Sequence, residues 1–310
     1  MTTVIERPAE NSPFLPGTFS QFAWDSTSLG YLKECPRKYF LTMIEGWRSK
    51  DESVHLTFGI HFHKALETFD LLLSQGVERE AAIDNVFVYL LEVTKDWNPD
   101  HNKKNRETLL RSVIWYLEEY KDDPAKTIIL SNGKPAVELS FRFDSGVPLP
   151  DGSGNYLLSG HMDRLVQFGN DLFVMDRKTT GSTIGGYFFD QFSPDNQMSL
   201  YTLAGRVVYD MPISGVIIDA AQIAVGFTAF GRGITMRSAD QIDEWLEDFG
   251  TWMRVGELYS QSSRWPMNEK SCNNYGGCVF KGICNKSPSV HTAFLKTDFE
   301  QIFWNPLETR

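Results

Sequence analysis

Two aspartates and a lysine in the stretch GHMDRLVQFGNDLFVMDRK, residues 160–178, have the types and the spacing to do chemistry together. The FGND sequence between two strand-like runs predicts a two-residue hairpin turn flanked by the paired residues Phe168 and Asp171. The same register places Asp163 opposite Asp176, with their Cβ atoms about 4.5–5.5 Å apart. Strand alternation puts Lys178 on the face of Asp176. The two carboxylates could therefore share one cation beside an ammonium group.

Hard carboxylate oxygens at this spacing suit Mg²⁺ or Mn²⁺. A lysine beside them can orient a water molecule or stabilise negative charge that develops on a phosphate. The ordinary alternative is a chance pair of surface carboxylates. Against it, Asp176 follows the apolar run LFVM and is expected at the end of a buried strand. Metal-assisted cleavage of a phosphodiester is the first hypothesis.

The four cysteines form a second candidate site. Three of them lie in CNNYGGCVFKGIC as Cys272, Cys278 and Cys284, and the fourth is Cys35. They are too sparse for a disulfide framework, and their clustering suggests metal binding. Thiolates can bind zinc or an iron–sulfur cluster. The five-residue spacings disfavour a compact zinc site, which usually brings its ligands in close C-x₂₋₄-C pairs. Four buried structural thiols are a third alternative.

Several weaker candidates surround these two sets. His63 lies on a predicted helix, whereas His61 falls on roughly the opposite side of that helix. His161 could line the site but is equally explained as a packed or surface histidine. Glu138, on the strand before the hairpin, could hold a second metal ion or its water, or could simply face a sheet edge. Basic and hydroxyl side chains could contact DNA or belong to solvated turns; the candidates are Arg37, Lys38, Thr179 and Thr180.

The elements that must position these residues divide the chain. The first third is mostly helical, with helices predicted over 27–41 (interrupted at Pro36), 58–76, 79–97 and 103–121. Strands then follow in KTIIL, PAVELSFRFD, YLLSGHMDRLVQF and DLFVMDRKTT, with a helix over 195–210, two more strands and a long helix from Ala239 to about Ser260. The simplest fold is α/β, with a mixed central β-sheet flanked by helices.

Composition narrows the class of protein further. The formal net charge is −10 and the pI is about 5.1. This acidity argues against passive coating of nucleic acid, but it allows an enzyme whose site carboxylates are neutralised by bound cations. No apolar run approaches the roughly 18 residues of a membrane span, and the first residues lack the apolar core of a secretory signal. We therefore expect an intracellular, cytoplasmic protein; its size would also suit a phage-encoded enzyme.

The ordered set G-H-M-D, D-R-K and Q-M-S-L-Y, preceded by FGIHFHKALE, resembles the PD-(D/E)XK nuclease superfamily and its RecB-like branch. Met162 stands where the superfamily's name has a proline. The resemblance implies a restriction-endonuclease-like core in which Asp163, Asp176 and His63 are metal ligands, joined by the backbone carbonyl of Arg177. It also implies that Lys178 is the catalytic lysine. Two residues on one helical face would position the scissile strand: Gln197 and Tyr201.

The cysteines extend the resemblance to CRISPR-associated and other RecB-like nucleases with one cysteine before the core and three after it. In those proteins the thiolates hold a 4Fe-4S cluster, which here would join Cys35 to the C-terminal region. The implied domains are a loosely ordered lead-in (1–22), a nuclease core (48–264) with a helical insertion (about 79–121), two parts of an iron–sulfur clamp (23–47 and 265–290) and a C-terminal tail (291–310).

The family commonly degrades DNA from its ends, so the resemblance implies a Mg²⁺- or Mn²⁺-dependent exonuclease on single-stranded or resected DNA. The sequence has no G-x-x-x-x-G-K-[ST] loop, so a separate helicase or recombination protein would be its partner. Two other classes stay open. One is a DNA-end-binding module with weak or absent cleavage. The other is a zinc-stabilised interaction protein.

Overall fold

A computed structural model describes residues 12–51 and 53–308 of the chain. Residues 1–11 of the expected lead-in lie outside the described residues. The chain forms two units. The first consists of Met1–Asp51, Arg142–Gly160 and Asp240–Thr309, and the second of Glu52–Phe141 and His161–Ala239.

Nine strands are present in the described residues. In chain order they are β1 (Ala23–Trp24), β2 (Trp47–Ser49), β3 (Lys126–Thr127), β4 (Val137–Pro148), β5 (Asn155–Phe168), β6 (Asp171–Thr180), β7 (Ile213–Ile223), β8 (Thr228–Met236) and β9 (Phe299–Gln301). In the sheet order β5-β6-β7-β8, the β6–β7 pair is parallel and its neighbouring pairs are antiparallel. The predicted α/β fold with a mixed sheet is confirmed.

The hairpin between β5 and β6 has the predicted register. Phe168 pairs with Asp171, and the ladder continues to Arg164 opposite Met175. The turn begins at Gly169, whose φ of 62° is in the left-handed region that glycine adopts without strain. Asp163 and Asp176 occupy the next position beyond the ladder.

The helices are α1 (Ser26–Glu34), α2 (Pro36–Tyr39), α3 (Val54–Ser74), α4 (Arg79–Val93), α5 (Arg106–Glu119), α6 (Gly186–Asp190), α7 (Asn196–Val208), α8 (Ala239–Ser262), α9 (Lys281–Cys284) and α10 (His291–Asp298). The predicted interruption at Pro36 is confirmed, because α1 ends at Glu34 and Pro36 opens α2, where its missing N–H costs nothing. The strand predicted over KTIIL is shorter than expected, since only Lys126–Thr127 pairs as a strand. No described helix is long and apolar enough to cross a membrane.

In the second unit, α3, α4 and α5 share one apolar core. Buried side chains from the three helices include Phe58 and Phe62, Val86 and Leu90, and Leu109. Ser53 caps the start of α3 by accepting a hydrogen bond from the Leu56 N–H. This packing fixes the face of α3 that the site uses.

The first unit contains both cysteine-bearing regions. Its β2 pairs antiparallel with β9, placing Trp47 opposite Gln301. An apolar cluster beside this pair includes Phe280 and Phe299, with Cys278 and Cys284 packed against it.

Candidate active site

Four elements of the second unit meet at one place. Helix α3 supplies His63, strand β5 supplies Asp163, strand β6 supplies Asp176 and Lys178, and helix α7 supplies Gln197. The carboxylate positions follow from the hairpin register, and the parallel β7 neighbour of β6 fixes the strand that holds Asp176. The residues singled out from distant motifs are thus brought together by the fold.

Asp163 is the more strongly held of the two carboxylates. Its Oδ2 accepts a hydrogen bond of 2.8 Å from the backbone N–H of Arg177 and lies 3.3 Å from Nδ1 of His63. Burial opposes its negative charge, but the positive charge of His63 and these hydrogen bonds outweigh burial and hold the pKa of Asp163 well below its usual range. Burial would lower the pKa of His63, and the charge of Asp163 raises it instead.

Asp176 is in a different environment although it is only 3% exposed. Nζ of Lys178 lies 2.7 Å from its Oδ2 as an ion pair, yet no directed hydrogen bond reaches this buried oxygen. Burial raises the pKa of Asp176 despite the opposing charge of Lys178. The ionised form of this carboxylate is therefore left incompletely stabilised by the protein.

Lys178 begins a short hydrogen-bonded chain. Its Nζ donates to Oε1 of Gln197 at 2.8 Å, and Nε2 of Gln197 donates to the hydroxyl of Tyr201 at 3.0 Å. Burial alone would lower the pKa of Lys178, but the charge of Asp176 raises it, so the side chain is an ammonium ion. The four-residue spacing of Gln197 and Tyr201 on α7 aligns them along one helical face.

The donor chemistry of this site fits a divalent cation. A histidine nitrogen and two carboxylates converge, and the Oδ2 of Asp176 is a buried anionic oxygen without a directed donor. In the described part of the chain, however, no three His, Cys, Asp or Glu side chains stand in a ready ligand arrangement. Both carboxylates make their close contacts through their Oδ2 atoms, which contact His63 and the Arg177 N–H in Asp163 and Lys178 in Asp176.

Sequence reasoning missed a buried charge network behind the site. Asp70, two helical turns after His63 on α3, accepts from Nη2 of Arg177 at 2.6 Å and from Nη1 of Arg164 at 3.2 Å. Arg177 is thus held at its backbone by Asp163 and at its side chain by Asp70. No local signal could have revealed this network, since Asp70 is separated from its partners by about a hundred residues.

The network continues through Arg232. This side chain binds Asp123 with two hydrogen bonds of 2.6 and 2.9 Å and reaches Oδ1 of Asp219 at 3.2 Å. Asp219 also accepts a hydrogen bond from the hydroxyl of Tyr116. Because buried charges are costly unless paired, this arrangement fixes strands β5, β7 and β8 relative to α3 and α5.

The remaining candidates have other contacts in the second unit. His61 packs edge-on against Trp97 at 5.7 Å, and Nδ1 of His161 lies 3.0 Å from the Ser140 hydroxyl. Glu138 is the second residue of β4 and has a φ of 48°. The carbonyl and hydroxyl of Thr179 both accept from Nζ of Lys104, and the Thr180 hydroxyl accepts from the Ser182 N–H.

The four cysteines are free thiols within the first unit. Sγ of the buried Cys35 accepts from the Asn268 N–H at 3.3 Å. Burial raises the pKa of Cys278 and Cys284, and charge on Cys35 and Cys272 raises both further. No three of the His, Cys, Asp or Glu side chains that the structure describes, these cysteines included, stand in a ready ligand arrangement.

The two basic residues considered for DNA contacts lie beside these thiols. Lys38 acts on Cys278, and Arg37 acts on Cys284, in each case lowering the thiol's pKa against the larger effect of burial. Nε of Arg37 also donates to the Trp265 carbonyl at 2.9 Å, and Lys38 pairs with Glu34 at 2.7 Å.

Comparison with known proteins places this geometry in a family. The chain is similar in structure to a protein from Eubacterium rectale described, provisionally, as an exonuclease, with a TM-score of 0.51 and 10% identity over 81% of this chain and 86% of that one. It also matches the structure of SSO0001 at a TM-score of 0.30 and 13% identity over 87% and 89% of the two chains. No curated protein matches the sequence. The sequence model of the PD-(D/E)XK nuclease superfamily matches residues 25–285, so the chain belongs to that superfamily.

Proposed function

We propose that the protein is a Mg²⁺- or Mn²⁺-dependent deoxyribonuclease that hydrolyses phosphodiester bonds from DNA ends, acting on single-stranded or resected DNA. The observation that carries the proposal is the pair of buried carboxylates on β5 and β6 with Lys178 at 2.7 Å from Asp176. Paired carboxylates beside an ammonium group are the groups that metal-assisted hydrolysis of a phosphodiester uses.

His63, Asp163 and Asp176 would hold the cation, with Glu138 as a further candidate ligand. When bound, the cation lowers the pKa of a water molecule and neutralises charge on the phosphate. Groups of the protein itself position these ligands. Asp163 is aligned by the Arg177 N–H at 2.8 Å.

Lys178 would stabilise negative charge on the phosphate or orient the attacking water. Oε1 of Gln197 accepts a hydrogen bond from the ammonium that also pairs with Asp176, and the hydroxyl of Tyr201 accepts one from the amide of Gln197. The pair therefore sets the direction in which Lys178 points. A preorganised charge of this kind needs no rearrangement during the reaction.

Attack from DNA ends is supported by the provisional exonuclease description of the structural neighbour. The proposed partner is a separate helicase or recombination protein that supplies an accessible end. We propose that the protein acts in the cytoplasm.

The second candidate is a DNA-end-binding module with weak or absent cleavage. One observation favours it, because His63 already pairs with Asp163 and Lys178 with Asp176, so the would-be ligands neutralise one another. A module of this kind would bind DNA without turning it over.

We also propose that Cys35, Cys272, Cys278 and Cys284 hold a 4Fe-4S cluster, with zinc as the alternative. The packing of Cys278 and Cys284 against one apolar cluster of the first unit supports a shared site, as does the positive charge of Lys38 and Arg37 that acts on these two thiols. Positive charge near thiolates favours their ionised, metal-binding form.

The test is digestion of end-labelled single-stranded and double-stranded DNA by anaerobically purified protein with Mg²⁺, Mn²⁺ or EDTA. Asp176→Ala and Lys178→Ala are compared with Asp171→Ala, which removes an exposed carboxylate from the other end of β6. We expect metal-dependent release of label that both site variants lose and Asp171→Ala retains.

Cleavage that survives in Asp176→Ala would contradict the proposed site. Binding of DNA ends by wild type and both site variants alike, without cleavage under any metal, would establish the binding module instead. The position of the label in the products gives the polarity of digestion.

A further inference from the structure

The chain between the strand of Lys178 and the helix of Gln197 carries an unusual number of aromatic residues. Residues 186–192, GYFFDQF, contain four of them, and we call this stretch the aromatic segment. Strand β6 ends two residues after Lys178, and α7 begins one residue before Gln197. Both ends of the connection that carries the aromatic segment are therefore anchored at the candidate active site.

The aromatic segment packs against strand β8 of the second unit. Phe189 lies over two glycines of β8, and a Cβ added at Gly233 would overlap its ring. The carbonyl of Phe192 accepts hydrogen bonds from Nη2 of Arg237 at 2.9 Å and from the Thr235 hydroxyl at 3.3 Å. The segment is thus fixed by a backbone contact and by a close approach that only glycine permits.

One ring of this fixed segment faces solvent. Phe188 packs edge-to-face with Phe189 at 5.2 Å and with Phe192 at 5.6 Å, whereas Tyr187 is 95% exposed. Its ring therefore adds almost nothing to the folded core. The segment that carries this ring is fixed at Phe189 and Phe192, and exposed aromatic rings are the groups on which single-stranded nucleic acids stack their bases.

A second apolar surface lies on the helix of His63. Leu56 and Ile60 are 64% and 56% exposed, and their spacing puts them on the same face of α3 as His63. A positive charge is available as well, since Nζ of Lys103 binds the Gly181 carbonyl at the start of the connection. Exposed apolar side chains can contact the faces of bases, and the ammonium group of Lys103 can contact a phosphate.

We propose that Tyr187 stacks on an unpaired base of the DNA strand whose phosphodiester lies at Asp176 and Lys178. This inference rests on the proposed function and specifies its substrate as a strand with an unpaired end. In a duplex the faces of the bases are covered by their neighbours, so a paired end would have to fray before Tyr187 could stack on it.

The experiment measures binding without cleavage, in an Asp176→Ala background. The probes are a fluorescein-labelled oligothymidine and the same oligomer with abasic residues at its end. Tyr187→Ala should raise the Kd for the intact oligomer about 5- to 150-fold and leave the Kd for the abasic oligomer unchanged. Tyr187→Trp should keep the wild-type Kd, as should Val88→Ala, which removes an exposed apolar side chain from α4.

Two results would overturn the inference. One is an unchanged Kd in Tyr187→Ala, and the other is an equal loss of affinity for the intact and the abasic oligomers. An unchanged Kd together with a change in oligomeric state by sedimentation would assign Tyr187 to a protein contact. The proposed function fails separately, when the protein with native Asp176 does not cleave in Mg²⁺ or Mn²⁺. A stacking effect can then still be measured, because the binding comparison requires no turnover.

Discussion

Asp163 and Asp176 share one buried site but differ in how well the protein stabilises their charge. Asp163 has a backbone N–H and His63, and its pKa is held well below its usual range. Asp176 has Lys178 as its close partner, and burial raises its pKa. A divalent cation beside Asp176 would supply the stabilisation that this carboxylate lacks. The asymmetry makes Asp176 the carboxylate whose charge depends most on a bound ion.

Gln197 is expected to act through Lys178. Gln197→Ala removes the acceptor 2.8 Å from the ammonium and frees Lys178 to rotate. A hydrogen bond to a charged group contributes about 1.5–3 kcal/mol, so kcat should fall roughly 10- to 100-fold. Steady-state cleavage of a labelled single strand measures this, with Val207→Ala as an exposed control on α7. A kcat equal to that of the control would remove Gln197 from the machinery.

Lys104 predicts a dependence of stability on pH. It is 3% exposed, and burial lowers its pKa from 10.5 to about 8. Between pH 8 and pH 10.5 the unfolded chain therefore binds more protons, and the free energy of unfolding rises with pH. Relative to Lys104→Met, the wild type should gain about 3 kcal/mol across this window.

Urea denaturation of Lys104→Met and wild type at both ends of the window measures the gain. Comparing the two proteins cancels the titration of all other groups. A constant difference between them would mean that Lys104 keeps its ordinary proton affinity in the folded protein.

At the scale of elements, the site depends on how α3 is attached to the sheet. His63 and Asp70 lie two turns apart on this helix, one toward the candidate site and one toward the buried arginines. Asp70 bonds Arg164 on β5 and Arg177 on β6. One carboxylate therefore fixes the helix that carries His63 to both strands that carry the aspartates.

Breaking this attachment should be costly. Asp70→Asn removes the carboxylate that bonds both buried arginines and leaves Arg164 with Asp123 at 3.6 Å and Arg177 with the more distant charge of Asp219. Breaking a buried ion pair by removing one partner typically costs about 3–5 kcal/mol. Glu67→Gln, one turn earlier, removes only the Lys64 pair near the surface and should cost less than about 1 kcal/mol. Chemical denaturation compares the two. Similar losses in both variants would show that Asp70 adds nothing beyond an ordinary surface pair.

The hairpin could be predicted from the sequence because its register depends on adjacent residues. Gly169 and the alternation around it specify which residues pair, and Phe168 does pair with Asp171. Asp70, Asp123 and Asp219 could not be found in this way. Their partners lie far along the chain, and the sequence around an isolated aspartate on a helix or strand does not indicate whether its side chain is buried. Tyr187 likewise looks like a core residue until its exposure is known.

At the scale of the whole molecule, family and fold class could be predicted because the ordered motifs span most of the chain. The first unit is assembled from three separate stretches, whose boundaries no local sequence pattern marks. The net charge argues only against one class of protein, a passive coat on nucleic acid. A chain of charge −10 that acts on DNA would have to bind it through local features, and the candidate site offers Lys178, two carboxylates and the exposed ring of Tyr187 rather than a basic surface.

Cys35 lies far before the three later cysteines in the sequence, and a shared cluster there would close a very long loop. Such a closure stabilises more than a short one in the chain-entropy description. Cys35→Ser should therefore lower both the bound iron, from about four per chain, and the melting temperature, while Lys281→Ala in the same region leaves both unchanged. Metal analysis and visible absorbance of anaerobically purified protein measure the bound iron, and thermal unfolding measures the melting temperature.

Zinc in place of iron would overturn the proposed iron–sulfur cluster but keep the loop closure. Protein without bound metal, melting like Cys35→Ser, would overturn both and leave the thiols as packing residues.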